Sequence, residues 1–194
     1  MTKIIGLTGG IGSGKTTIAK HIKSLGIPVY IADDEARKIM QSVEIISAIK
    51  KIFGTSIFEN DILNREKLAA IVFSDSEKLE KLNSIIHPAV KKHFENWILN
   101  HKKYPYVIYE AAILFESGSY KNCDLIITVT APIESRIQRV IQRDHTTREN
   151  VLKRINSQWN DAQRISKSDY VIENITPEIA KSEVDKILKI LNIQ

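Results

Sequence analysis

Lys3-Ile4-Ile5-Gly6-Leu7-Thr8 runs directly into Gly9-Gly10-Ile11-Gly12-Ser13-Gly14-Lys15-Thr16, and the reading of this stretch decides the fold. Its first part is nearly continuous in apolar residues, the pattern of a strand covered on both faces. The second part satisfies G-x-x-x-x-G-K-[ST] and is followed by a helical stretch from Lys15 to Leu25, the strand-to-helix context that a phosphate-binding loop requires. Glycines at 9, 10, 12 and 14 tolerate positive φ and let backbone N–H groups turn inward as a concave nest. The helix adds unpaired N–H groups and its positive end. Lys15 supplies a mobile point charge to the β- and γ-phosphates, and Thr16 offers a hydroxyl ligand to Mg²⁺. One such charge pair at about 4 Å and an effective dielectric near 20 interacts by roughly 4 kcal/mol before desolvation. Gly10, Ile11, Gly12, Ser13, Gly14, Lys15, Thr16 and Thr17 are therefore the expected contacts of a nucleoside triphosphate, with Thr16 on the metal.

Four more β-rich runs follow: Pro28 to Ile31, Pro105 to Tyr109, Asp124 to Thr130 and Asp169 to Glu173. With helical stretches between them, they imply a five-stranded parallel sheet layered by helices on both sides, the three-layer α/β/α form of phosphate-loop nucleotide-binding proteins. About seventy residues separate Asp33 from Pro105, far beyond the few-residue connections usual in α/β units, so something folded is inserted there. Ile39, Met40, Ile45, Ile46, Ile49 and Phe53 carry helical periodicity from Ala36 to Phe53. Asn64 suits the N-cap of a helix over Arg65 to Phe73. Ser74 or Asp75 can cap another running to about Leu82, and Pro88 suits the first turn of one more through Ala89, Phe94, Trp97 and Ile98. The expected plan is a core over about 1–35 and 103–194 with a helical subdomain over about 36–102. Arg136 to Asp144 and Arg148 to Arg164 read as two basic helices around the turn His145-Thr146-Thr147, giving a small lid over about 139–165. An amphipathic helix from Pro177 to Leu191 bears Ile179, Val184, Ile187, Leu188 and Leu191.

Composition bounds the function class. The chain has 194 residues, 43% hydrophobic and 26% charged, which argues against long disorder and against fibrous or disulfide-rich classes. Cys123 is the single cysteine, so no internal disulfide and no cysteine cluster for zinc or iron–sulfur is possible. No apolar run reaches the roughly 18 residues of a membrane span, and MTKIIGLTGG lacks the apolar stretch of a secretory signal. The expected compartment is the cytoplasm, with no membrane partner. The net charge of +5 is mild, and no stacked-aromatic or zinc-finger motif accompanies it, so a nucleic-acid partner is not expected. Oligomeric state is not readable from these features.

Neither an N-K-x-D guanine signature nor an L-S-G-G-Q transporter signature occurs. A kinase of a small metabolite fits best, since such an enzyme needs an acceptor site and a basic lid that excludes water. Ile31-Ala32-Asp33-Asp34-Glu35-Ala36-Arg37 lies at the carboxyl edge of the sheet, where ligands bind in open α/β folds. Asp33 there can accept the proton of an attacking hydroxyl, hold Mg²⁺ through water, or cap a helix starting at about Glu35. Spacing does not choose between Asp33 and Asp34. Glu110 and Glu116 bracket the third-strand segment; either can order Mg²⁺ or the acceptor, or serve in solvation or capping. Arg139 and Arg143 stand four apart on a helix face with Arg148 in the turn beyond, and the three can converge on transferred phosphate or form a solvated basic face.

LTGGIGSGKT, ADDEAR at 32–37, LNSIIHP at 82–88, AAILFESG at 111–118, and QRD with TRENV at 142–151 occur in the order seen in dephospho-coenzyme A kinases, which the chain resembles over nearly its whole length. The resemblance implies transfer of the ATP γ-phosphoryl group, with Mg²⁺, to the 3′-hydroxyl of dephospho-coenzyme A. It implies Asp33, rather than Asp34, as the base, Arg37 near the acceptor, His87-Pro88 beside the acceptor subdomain, and Glu116 among the substrate contacts. His87 can equally be incidental to a Pro-started helix. It favours Arg139 or Arg143 as the phosphate contact of the lid, and puts Asn174 near the adenine. Two departures stand out: Ile31-Ala32-Asp33 replaces the common D-A-D, and Ile175-Thr176 follow Asn174 where the family often has Gly. Two alternatives remain beside this reading. One is a nucleoside monophosphate or other small-metabolite kinase; the other is a nucleotide-dependent switch or binding protein that turns over ATP without an acceptor.

Overall fold

The computed structural model describes residues 2–60 and 62–193. In chain order its elements are β1 (Lys3–Thr8), α1 (Lys15–Ser24), β2 (Val29–Ile31), α2 (Ala32–Ile39), α3 (Val43–Phe53), β3 (Phe58–Glu59), β4 (Ile62–Leu63), α4 (Arg65–Phe73), α5 (Ser76–Leu99), β5 (Tyr106–Glu110), β6 (Leu125–Thr130), α6 (Ile133–Asp144), α7 (Arg148–Asn156), α8 (Asp161–Ile165), β7 (Tyr170–Glu173) and α9 (Pro177–Ile193), with a 3₁₀ turn at Ser119–Asn122. They fall into two compact units, one running to Ile31 and resuming at His101, the other spanning Ala32–Asn100. No helix among the described residues is long and apolar enough to cross a membrane.

The first unit is built on a five-stranded sheet in the order β2-β5-β1-β6-β7, and every pairing is parallel. The strands match the five apolar runs. Ile5, Leu7, Ile108, Ile127, Val129 and Ile172 pack with Ile18 and Ile22 of α1 and with Val184, Ile187, Leu188 and Leu191 of α9 in one core. Ile179, expected on the apolar face of α9, is instead exposed. Two carboxylates fix where strands begin pairing: Asp124 accepts the Ile4 N–H at 2.6 Å and Asp169 accepts the Ile126 N–H at 2.7 Å.

The helices of the second unit differ from their sequence reading in three places. Ser42 interrupts the periodic run from Ala36 to Phe53: its side chain accepts from the Ile45 N–H and starts α3 afresh. The helix before it begins at Ala32 rather than near Glu35, so Asp33 lies inside the first turn and is not a cap. Pro88 does not open a helix. It sits within the 24-residue α5, where a proline removes one backbone bond and costs about 3 kcal/mol. The buried row Leu82, Ile86, Val90 and Phe94 runs through that position on one helix face, and its burial, at about 1.5–3 kcal/mol per large side chain, outweighs the break. α5 packs against α2, α3 and α4. The short β3–β4 hairpin, with Asn60 at φ 49°, carried no signal in the sequence reading.

The basic run from Arg148 to Arg164 also divides. α7 ends at Asn156, and a capping box between Asn160 and Gln163 starts α8, leaving residues 157–160 as a turn.

Gly6, in the central strand, leaves no room for a side chain. A Cβ there would stand 2.8 Å from Leu114 Cδ2 and 3.0 Å from Cys123 Sγ, and Leu114 is fully buried. Burial, with Asp124 adding, pushes the Cys123 thiol up to about 12, so it packs as an inert apolar group. Gly6→Ala is expected to lower stability by about 1–3 kcal/mol through overpacking, read as a lower urea midpoint with unchanged slope.

Candidate active site

The phosphate loop closes β1 and opens α1. Gly12 (φ 77°) and Gly14 (φ 98°) adopt left-handed backbone there, which side-chain-bearing residues rarely do. Neighbours also fill the space a side chain would need. A Cβ on Gly10 would collide with Arg136 Nη2, one on Gly14 with Asn174 Nδ2, and one on Gly9 with the Val129 carbonyl.

The loop carbonyls are bonded outward. Ile11 O accepts from Arg136 Nε at 2.9 Å, Gly12 O from Arg139 Nη1 at 3.4 Å, and Ser13 O from Asn174 Nδ2 at 2.7 Å. Gly10 O accepts from the Ser13 N–H at 3.1 Å. Because a trans peptide sets C=O and the following N–H on opposite sides, the bonds from Arg136 and Asn174 direct the Gly12 and Gly14 N–H groups away from those side chains. The N–H groups of Gly12, Gly14 and Thr16 have no protein partner among the described residues. Polyphosphate oxygens match that donor set in chemistry and in the absence of side chains around it. Lys15 is 9% exposed in the first turn of α1, and Thr16 and Thr17 are exposed beside it.

Several expected site residues have other partners. Ile11 lies in the loop, yet its N–H is held by Gln158 Oε1 at 2.9 Å and its carbonyl by Arg136, so its peptide groups shape the cradle rather than line it. Asn174, expected near adenine, is buried with its amide on Ser13 O, and its Oδ1 has no partner. The three lid arginines do not converge. Arg139 reaches the loop and also donates to Asn174 O at 3.2 Å, whereas Arg143 is paired to Asp144 at 2.7 Å and Arg148 to Glu134 at 2.7 Å. The Arg143 bond holds the Asp144 carboxyl below its usual range, with Arg154 adding to it, and Arg148 does the same to Glu134.

Arg136 is the residue that sequence reading missed. Its only advance signal was its place in the basic stretch, three residues ahead of Arg139. It belongs to an ionic chain of two buried arginines and two half-buried carboxylates: Arg136 Nη1 to Asp161 at 3.0 Å, Asp161 to Arg164 Nη1 at 3.4 Å, and Arg164 Nη2 to Glu116 at 3.2 Å. Arg164 is fully buried. Burial pulls its guanidinium below the ordinary value while Glu116 and Asp161 push it back up. Glu116, expected on the substrate, is engaged in this chain and also accepts the Trp159 N–H at 2.9 Å. Glu110 closes β5 at 3% exposure, in register with Leu7 of β1 and Ile31 of β2.

In the helical unit, Asp34 pairs with Arg37 at 2.9 Å and Glu35 with Lys38 at 2.7 Å. Asp33 is exposed and has no ion-pair or hydrogen-bond partner among the described residues. His87 is on the exposed side of α5, and nearby protein lowers its imidazole pKa by desolvation. No cluster of three or more His, Cys, Asp or Glu able to hold a metal occurs among the described residues. A divalent ion here would take most of its ligands from phosphate and water, with the Thr16 hydroxyl as the protein's contribution.

A family model described as dephospho-CoA kinase matches residues 3–178. A dephospho-CoA kinase of Fusobacterium nucleatum subsp. nucleatum is 43% identical over 172 residues, covering 88% of this chain and 89% of the relative. One from Bacteroides fragilis is 37% identical over 171 residues, covering 88% and 83%. Among solved structures, a Thermus thermophilus protein superposes with a TM-score of 0.89 at 33% identity, covering 96% of each chain.

Gly10→Ala tests the cradle directly, because its methyl group displaces the Arg136 guanidinium from Ile11 O. Nucleotide affinity measured by calorimetry is expected to fall at least tenfold, about 1.4 kcal/mol, while the unliganded melting temperature moves by only a few degrees.

Proposed function

The chain belongs to the dephospho-coenzyme A kinase family, and on that premise we propose how its residues divide the work of moving the ATP γ-phosphoryl group to the 3′-hydroxyl of dephospho-coenzyme A, the last step of coenzyme A synthesis. The Gly12, Gly14 and Thr16 N–H groups hold the polyphosphate. Lys15 neutralises the β- and γ-oxygens. Arg139 approaches from the lid side, and its contact with Gly12 O supports its choice over Arg143, which Asp144 already engages. The Thr16 hydroxyl would hold Mg²⁺, which would supply further neutralisation of charge on the transferred group.

Asp33 accepts the proton of the attacking 3′-hydroxyl. The observation that carries this assignment is the pairing in α2: its neighbours Asp34 and Glu35 are engaged by Arg37 and Lys38, and Asp33 alone of the three has no partner among the described residues. Each of those two carboxylates already accepts a charge-assisted hydrogen bond, which must be given up before it can take one from the attacking hydroxyl. Arg37 and His87, in the same helical unit, are the proposed acceptor contacts, Arg37 exchanging Asp34 for an anionic group of the substrate. With little covalent chemistry to perform, the protein acts mostly by positioning and charge stabilisation. Absence of any membrane-crossing helix among the described residues is compatible with action in the cytoplasm.

Supplying Mg-ATP with a panel of acceptors and following mass should add one phosphate to dephospho-coenzyme A and not to nucleoside monophosphates. Phosphate appearing on a mononucleotide, or ATP turnover indifferent to every acceptor, would overturn the reading. Asp33→Asn is expected to lower kcat by about 10²–10⁴ while ATP affinity stays within about twofold. Asp34→Asn should change kcat far less, and the reverse ranking would reassign the base.

A further inference from the structure

The four-residue turn between α7 and α8 reaches across to the phosphate loop, and the proposed chemistry gives it no task. Its Gln158 places Oε1 2.9 Å from the Ile11 N–H, although the two residues are 147 positions apart. An N–H can only donate, so the amide oxygen must face the loop. The next residue, Trp159, is fastened independently: its N–H donates to Glu116 at 2.9 Å, and its ring stacks on Phe115 with centroids 5.4 Å apart and planes 3° apart. Gln158 therefore extends from a fixed base.

We propose that Gln158 is a positioning residue for the phosphate loop, holding the Gly10–Ile11 peptide from outside so that the donors beyond it stay aimed at the polyphosphate. This rests on the reading that the loop holds the triphosphate of ATP. The Gly10–Ile11 peptide is fixed at both ends, its N–H by Gln158 and its C=O by the Ser13 N–H that closes the turn. The following peptide is fixed by Arg136 on Ile11 O. Glycines at 9, 10 and 12 flank these planes and impose little torsional restraint of their own. Releasing the Ile11 N–H leaves that plane on the Ser13 contact alone and the next one on Arg136 alone, so the Gly12 N–H is aimed less tightly. Gln158 has the right chemistry for this position. It accepts as a carboxylate would, but without placing a negative charge beside a bound polyphosphate.

The test uses inorganic pyrophosphate, which engages the loop without base, sugar or acceptor. Gln158→Leu keeps the bulk and removes the acceptor; Gln158→Ala removes both, at a half-buried position in a turn. In both variants pyrophosphate affinity by calorimetry should fall about tenfold. ATP KM should rise by a similar factor while dephospho-coenzyme A KM stays within about twofold, a split that a general loss of folded protein would not produce. Wild-type pyrophosphate affinity in both variants would overturn the positioning role while leaving the kinase reading intact. A wild-type protein that binds neither pyrophosphate nor ATP would overturn the loop reading itself, and this inference with it.

Discussion

A glycine-rich loop cannot aim its own amides; something outside it must hold the peptide planes, and planarity does the rest. Fixing one carbonyl fixes the N–H on its far side. In this chain Arg136 and Asn174 each hold one carbonyl, and the donors so directed belong to Gly12 and Gly14. Neither anchor is near the loop in sequence: Asn174 lies 161 residues from Ser13 and Arg136 lies 125 from Ile11. The strand order brings them together. β6 pairs directly with β1, and β7 pairs with β6, so the segments leaving the carboxyl ends of both strands arrive beside the loop that leaves β1. The sheet is thus a device for delivering distant donors to one turn.

Arg136 brings a charge into a poorly solvated place, and the ionic chain through Asp161, Arg164 and Glu116 answers it. Two cations and two carboxylates alternate, so each buried charge has an opposite neighbour. Such a chain adds little net stability compared with apolar packing, but removing one member leaves an uncompensated charge, at a cost of about 3–5 kcal/mol. Its value lies in geometry: a guanidinium locked by Asp161 presents Nε to Ile11 O in one orientation. The surface pairs Arg143–Asp144 and Arg148–Glu134 lack this constraint, and solvent screening leaves them little weight.

The five strands and the loop were readable because their signals are local. A continuous apolar run and a glycine pattern depend on nothing elsewhere in the chain. What escaped were outcomes of competition between local and distant terms. Pro88 is a strong local stop, overridden by a buried row that only the packed helical unit reveals. Ser42 is a weak local start inside a strong apolar period, and there the local signal prevailed. Arg136 and Arg143 are the same residue type seven positions apart on one helix, yet one is 4% exposed on the loop and the other sits outside with Asp144. Composition and spacing contain no term for that difference. Gln158, and the partners of Glu116, were hidden for the same reason, since the contacting residues are dozens of positions away or more.

Asp33 and Asp34 show how structure separates residues that spacing leaves equivalent. Both lie in the first turn of α2, where acidic side chains complement the helix dipole. Arg37 is three residues beyond Asp34 and Lys38 three beyond Glu35, the spacing at which helical side chains meet. The position three beyond Asp33 is Ala36, which has no charge to offer. Helical geometry and an alanine together leave one carboxylate of the three without a partner among the described residues. A proton acceptor in phosphoryl transfer needs that freedom more than it needs an altered environment, because its task is to meet a hydroxyl that arrives with the substrate.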